Sequence, residues 1–364
     1  MARISFILSL TACLLTLLPL TVGVEIYDIF DVERNAANNG GCGARMATLD
    51  VWLSDSLESL DVALTAIDNY RQNVGVRRAL STFFGIRNTG GGATPRAVND
   101  IRNNLAHVYE FLNHHQEDGN FFYDSTYNHL HCDSTFLVPR APNSPAFDLN
   151  GQVIVDQNGN QVTIENIPSY HAALDKDARA SPWWAGDFTN LNGYYFDEQG
   201  GNFCQGDHLG ATAHIKPLLT DGATGTDPSR QHASVIICPH AFVGSTQPDN
   251  YRDANNLIAQ GTNFALVVPK SATLLHEVFH VVGGDYYLSG PAETYPLLDA
   301  LNLASRRSGL ARQNPENYVF FVAHMYHMLG QPEGNEPWSI GGNWDFRVTG
   351  SGSNRLYAAT APPP

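Results

Sequence analysis

Two histidines four residues apart, with a glutamate beside the first, form the stretch of this chain whose spacing reads most directly as chemistry. It runs Leu275-His276-Glu277-Val278-Phe279-His280-Val281-Val282-Gly283-Gly284-Asp285. On a helix, positions i and i+4 share a face, so His276 and His280 present two imidazole nitrogens to one metal ion. Glu277 lies one step round the same helix, beside the metal rather than on it, where it can hold and deprotonate a water. The flanks suit a helix. Ser271 is a candidate N-cap, Leu275, Val278, Phe279 and Val282 supply an apolar face, and Gly283-Gly284 ends it, with an acid just beyond. The alternative, a chance match on a buried helix, does not account for that combination.

The rest of the chain has to position this helix. Its 364 residues suffice for one large domain or two small ones. The N-terminus reads as a cleaved secretory signal over residues 1–23, with Arg3, an apolar run from Ile4 to Leu20, and small residues up to Gly23. No later apolar stretch approaches the ~20 residues of a membrane span, so a secreted, extracellular protein without a membrane anchor is expected. Cys13 leaves with the signal. Cys42, Cys132, Cys204 and Cys238 remain, and an even number in an oxidising compartment reads as two disulfides with three possible pairings. The formal net charge of −15 argues against binding nucleic acid through its phosphates.

Residues 24–41 read as a short arm or pro-segment. Leu49, Leu53, Leu57, Leu60, Leu64 and Ile67 then recur at helical spacing, with Asp50, Asp55, Glu58 and Asp61 between them as an expected solvated face. A second helix carries Val98, Ile101, Leu105, Val108 and Leu112. From about 143 to 230 the chain turns rich in Pro, Gly, Asn and Asp, and this segment reads as an insertion decorating the domain. Within it, Val153–Val155 and Val162–Ile164 flank a hairpin turn at Gln157-Asn158-Gly159-Asn160. Val235–Cys238 is a strong strand. Residues Tyr295–Arg307 read as a helix. Another opens at Asn314-Pro315-Glu316, and a Gly/Ser/Pro-rich tail occupies 331–364.

Several of these features stand in the order found in the aspzincin metallopeptidases, the deuterolysin and peptidyl-lysine metalloendopeptidase family secreted chiefly by fungi. The chain resembles that family in His276-Glu277-x-x-His280, in Gly41-Cys42 before the long helix, in Phe83-Phe84-Gly85 after it, and in Cys132. It is similar again in Ile237-Cys238-Pro239-His240-Ala241-Phe242 and in Asn314-Pro315-Glu316-Asn317. The resemblance covers roughly 41–132 and 234–321. It implies an α+β, zincin-like fold with a helical N-terminal lobe, a small sheet, the active-site helix and C-terminal helices, the catalytic domain spanning 42–330. It also implies one Zn²⁺, disulfides Cys42–Cys132 and Cys204–Cys238, and Asp285 as third metal ligand. Here the family's Gly-Thr-x-Asp is shortened to Gly283-Gly284-Asp285 and Leu288 replaces its tyrosine; Glu293 and Asp299 are reserves for the ligand position.

The expectation that follows is a monomeric secreted zinc endopeptidase acting on polypeptides, with Glu277 as general base. Tyr286 or Tyr287 stands near enough for the oxyanion, and the strand at Val235–Cys238 would align an extended substrate. By the same resemblance Glu316 and Val319 occupy the places of the acidic pair that receives a lysine side chain, so a weakened basic preference is expected. A zinc-binding secreted antigen or scavenger without turnover is the alternative.

Overall fold

Apolar spacing builds the helices of the first half. The computed structural model describes residues 23–86, 95–114, 116–117, 120–121, 128–219, 232–244, 246–255, 257–259, 262–330, 344–349 and 356–359. A short helix, α1 (Ile26–Ile29), precedes α2 (Met46–Asp68), whose Leu49, Leu53, Leu60 and Ile67 are buried. Helix α3 (Val74–Phe84) starts at Asn73, whose side chain accepts from the N–H groups of Gly75 and Val76. Helix α4 (Arg96–Leu112) buries Val98, Ile101, Leu105, Val108 and Leu112. Asp55 is the exception to the solvated acidic face expected of α2: it is 6 % exposed, accepts from Tyr251 N–H and accepts from the hydroxyl of Ser271.

The strands are short. They are β1 (Asp31–Val32), β2 (Gln116–Glu117), β3 (Asn120–Phe121), β4 (Asn128–His131), β5 (Val138–Pro139), β6 (Ser181–Trp184), β7 (Tyr194–Asp197), β8 (Gly210–Ile215) and β9 (His232–Ile237). The main sheet has the order β1-β4-β9-β8; β1, β4 and β9 run parallel, and β8 is antiparallel to β9, with Thr212 opposite Val235. Strands β5, β6 and β7 form a separate antiparallel sheet, and β2 pairs with β3. The structure adds to two of the sequence readings. Residues 24–41 are built into the domain, since β1 edges the main sheet and Ile26, Ile29 and Phe30 are buried in the core. The segment 143–230 is more than decoration, because it supplies β8 to that same sheet. The hairpin turn expected inside it forms, with Val155 opposite Gln161 and the N–H of Val162 donating to the Ile154 carbonyl.

Helix α5 (Pro168–Lys176) belongs to that segment. Then follow α6 (Pro239–Val243), α7 (Tyr251–Asn255), α8 (Ala272–Gly283), α9 (Leu297–Arg306), α10 (Ser308–Ala311) and α11 (Pro315–Leu329). Strands β10 (Trp344–Thr349) and β11 (Leu356–Ala359) pair antiparallel in the C-terminal tail. One core joins α2, α3, α4, α8, α9 and α11 with β4 and β9; two smaller clusters lie beneath β6, β7 and the start of α5. Leu274, Leu275, Val278 and Phe279 of α8 have no exposed surface. Each such side chain contributes about 1.5–3 kcal/mol relative to exposure, so α8 is held by its neighbours rather than by its own propensity.

Disulfides join Cys42 to Cys132 and Cys204 to Cys238. Among the described residues no helix is long and apolar enough to cross a membrane. The expected signal segment lies outside the described residues up to residue 22.

Candidate metal centre

Helix α8 brings His276 and His280 to one side, as their spacing requires, and both are buried. Ser271 occupies the position before the helix, yet its hydroxyl makes no cap and donates to Asp55 instead. The helix stops at Gly284, whose φ of +49° suits a residue without a side chain.

The chain then returns to the histidines through Glu293. One of its oxygens, Oε1, lies 3.0 Å from His276 Nε2 and 3.3 Å from His280 Nε2. The side chain is 2 % exposed. Two ligands each about 2.0–2.1 Å from a tetrahedral ion stand roughly 3.3 Å apart, so these atoms are already spaced to share one. Two imidazoles and a carboxylate, buried together with their donor atoms within 4.8 Å of one another, could hold a metal ion. Asp285, expected from the resemblance, has its backbone in the single 3-10 turn Gly284–Tyr286 after α8, and its side chain lies outside the described residues. Asp299 stands exposed on the first turn of α9 and is not one of this group.

Glu293 is held in place by the motif that opens α11. The amide of Asn314 pairs reciprocally with the backbone of Thr294, accepting from its N–H at 3.0 Å and donating to its carbonyl at 2.9 Å. The second amide proton goes to Asn317 Oδ1 at 2.7 Å. Asn317 in turn donates to the carbonyls of Phe83 and Ala300 at 2.7 and 3.1 Å. Two buried amides thereby tie α3, α9, α11 and the ligand-bearing loop together. Their donors are satisfied, as buried polar groups must be.

Glu316 completes the arrangement from the same turn. Its Oε2 is 2.8 Å from His276 Nδ1. A carboxylate on the far nitrogen fixes a ligating imidazole's tautomer and angle. The carboxylate expected to face a substrate lysine is thus engaged with a candidate ligand. Val319, expected beside it as a subsite wall, is 1 % exposed within the main core and has no face to offer a substrate.

Charges at the centre follow from this packing. Burial pulls the His276 imidazole down, but its hydrogen bonds to Glu293 and Glu316 outweigh that and hold it well above the usual histidine range. Burial pushes Glu293 up, and the two histidines overcome it, bringing it down to about 2. Burial raises Glu277, partly countered by the same histidines and by Thr212.

Glu277 is not part of the ligand group. It points to β8, where the Thr212 hydroxyl lies 2.9 Å from Oε2 and 3.1 Å from the Glu277 carbonyl oxygen. Gly210 leaves room for this approach, because a Cβ there would stand 2.9 Å from Oε1. Strand β9 has both edges paired, with β4 and with β8, so it cannot align a substrate as expected for Val235–Cys238. The strand that edges the sheet beside Glu277 is β8.

Of the two tyrosines singled out in sequence, Tyr287 is 6 % exposed and edge-on to Phe279, with 6.4 Å between its ring and that of His280, while Tyr286 is 42 % exposed. The tyrosine on the ligand group is one that sequence reasoning missed. Tyr295 stacks on His276 at 5.6 Å, donates to Glu293 Oε2 at 2.7 Å, and is 54 % exposed. Its place just two residues after Glu293 was the only available signal.

No family model matches the chain, and no curated protein matches it.

Proposed function

We propose that the protein is a zinc-dependent endopeptidase of the aspzincin-like kind that its motifs resemble, in which His276, His280 and Glu293 hold one divalent ion and Glu277 is the general base. The observation that carries this reading is the separation of roles among three carboxylates: Glu293 faces both Nε2 atoms, Glu316 braces His276 from behind, and Glu277 stands apart, held by Thr212. A protein that only stored the ion would have no use for the third. Two imidazoles and one carboxylate match the donor set of hydrolytic zinc sites, which keep a further position open.

When bound, the ion would supply a water acidic enough to lose its proton near neutral pH and a positive charge for the scissile carbonyl. Glu277 accepts the proton of the attacking water and returns it to the leaving amine. Glu316 keeps the His276 ring turned so that Nε2 faces the centre. Tyr295 holds Glu293 through Oε2 and leaves Oε1 facing the two Nε2 atoms, where Glu293 would help to hold the ion. An extended peptide pairs with the edge of β8, which sets its scissile bond beside Glu277. Secretion belongs to the same reading and is supported by the two disulfides, which persist in oxidising compartments.

Purified protein should cleave casein and stop on addition of a chelator. Glu277→Gln should keep its metal and its fold yet lose cleavage by about a hundredfold or more, the range of a general base. Near-normal turnover in that variant would remove Glu277 from the mechanism; absence of any cleavage in the metal-loaded native protein would leave a binding protein.

A further inference from the structure

A cavity of about 460 Å³ opens between the loop after α8 and the turn before α11, and Asp100, Tyr286, Arg307, Leu310 and Arg312 contribute to its walls. Its charge runs against that of the chain. The protein carries 36 acidic and 21 basic residues, yet this cavity has two guanidinium groups to one carboxylate. Arg312 is oriented: its Nη1 lies 3.4 Å from Asp100 Oδ2, and its Nε donates to the Ser308 carbonyl at 3.3 Å. Among the described residues, Arg307 has no carboxylate partner. Tyr286 adds a half-exposed phenol and Leu310 an apolar surface.

Tyr286 relates the cavity to the candidate centre. Tyr286 is 5.0 Å from Tyr287, ring to ring, and Tyr287 is 6.4 Å from His280. A peptide advances about 3.3–3.6 Å per residue, so the two ring separations put Tyr286 within the span of about three extended residues from His280.

We propose that this cavity is a subsite for a carboxylate of the peptide substrate, an acidic side chain or the chain's C-terminus, recognised by Arg307 and Arg312. The assignment rests on the peptide reading of the centre. A guanidinium presents paired donors matched to a carboxylate, and Tyr286 supplies a third. Asp100 already faces Arg312, so a lysine or arginine would meet the guanidinium of Arg307 without a carboxylate to receive it. The subsite therefore selects in the sense opposite to a lysine pocket.

The test uses the metal-loaded full chain carrying Glu277→Gln, titrated calorimetrically with C-terminally amidated peptides that carry Glu, Gln or Lys at successive positions. At one position Glu should bind about tenfold tighter than Gln, the effect of one charge-assisted contact, and Lys weaker than either. Adding Arg307→Glu should reverse the order, so that Lys binds better than Glu, a change that mere loss of structure does not produce. A matched peptide without Glu and with a free C-terminus separates the two sources: a preference for the free carboxylate over the amide identifies chain ends as the ligand. Equal binding of Glu, Gln and Lys peptides, or an unchanged order in the Arg307→Glu protein, overturns the assignment. The two readings fail separately: native protein that cleaves peptides without regard to acidic residues sinks the subsite, whereas a Glu preference in binding with no cleavage sinks the endopeptidase and leaves the subsite.

Discussion

Asp55 makes the stability of this protein depend on pH in a direction opposite to that of most carboxylates. It sits in α2 under the start of α8, accepting from Ser271 and from Tyr251 N–H, with Glu58, Arg252 and Tyr251 as its charged and titratable neighbours. Burial raises it to about 7, and the hydrogen bonds from Ser271 and Tyr251 recover only part of that. In the unfolded chain the group ionises near 3.9. Between about pH 4 and pH 7 the folded protein therefore holds a proton that the unfolded chain has lost. Stability from this group is complete below pH 4, falls as pH rises through that window, and is flat above it. A separation of about three units at 1.36 kcal/mol each sets a ceiling of about 4 kcal/mol, a large part of the roughly 5–15 kcal/mol of a typical domain. Asp55→Asn removes the titration while keeping the shape and an acceptor oxygen. Denaturant unfolding of both proteins from pH 4 to 8, with the disulfides intact, should give a difference near zero at pH 4 that grows to about 2–4 kcal/mol in favour of the variant at pH 8. His131 and His327, lowered by burial to about 3 and about 4, weaken the fold as pH drops, but they do so in both proteins and cancel in the difference. Parallel curves, or a variant less stable at every pH, would refute the reasoning.

Other expectations concern the centre. Glu293→Ala should lose zinc on dialysis while Asp285→Ala retains it, as read by metal analysis; the reverse result returns the ligand position to Asp285. Glu316→Gln should weaken zinc affinity by about 10–100-fold, measured by competition with a chromophoric chelator, because the brace on His276 loses its charge. Gly210→Ala places a methyl 2.9 Å from Glu277 Oε1; it should lower kcat on casein-derived peptides with zinc content unchanged, and equal kcat would show that Glu277 does not depend on this approach. Asn314→Ala leaves the backbone of Thr294 unheld and should cost about 1–3 kcal/mol in unfolding experiments together with zinc retention.

The parts of this molecule that sequence reasoning reached are those with local rules. The helix of His276 and His280, the leucine spacing of α2, the Asn314-Pro315 opening of α11 and the hairpin around Asn158-Gly159 all follow from periodicity or turn chemistry. Both disulfides were implied by resemblance rather than by spacing, and both are formed. What was not legible depends on contacts between distant segments. Strand β8 lies in a stretch whose composition reads as loop, and its place at the edge of the sheet is set by pairing with β9. Glu293 stood only in reserve as a ligand, because its return to the histidines depends on Asn314, twenty residues away by the contact with Thr294. Asp55 looked like one more surface acid on an amphipathic helix. Nothing local distinguishes it from Asp50 or Asp61, and only the seating of Ser271 and Tyr251 against it does.

The Asn314 amide carries a further consequence, in the chemical ageing of the protein. Asparagine deamidates when the backbone nitrogen of the following residue attacks its side-chain carbonyl and closes a succinimide. Residue 315 is proline, which has no backbone N–H to lose and cannot close that ring. The side chain that pins the loop of Glu293 is thereby shielded from the common route by which asparagine becomes aspartate. Conversion would replace an amide that donates to Thr294 and Asn317 with a carboxylate that repels both acceptor oxygens. The proline that starts α11 thus protects, over time, the residue on which the geometry of the centre depends.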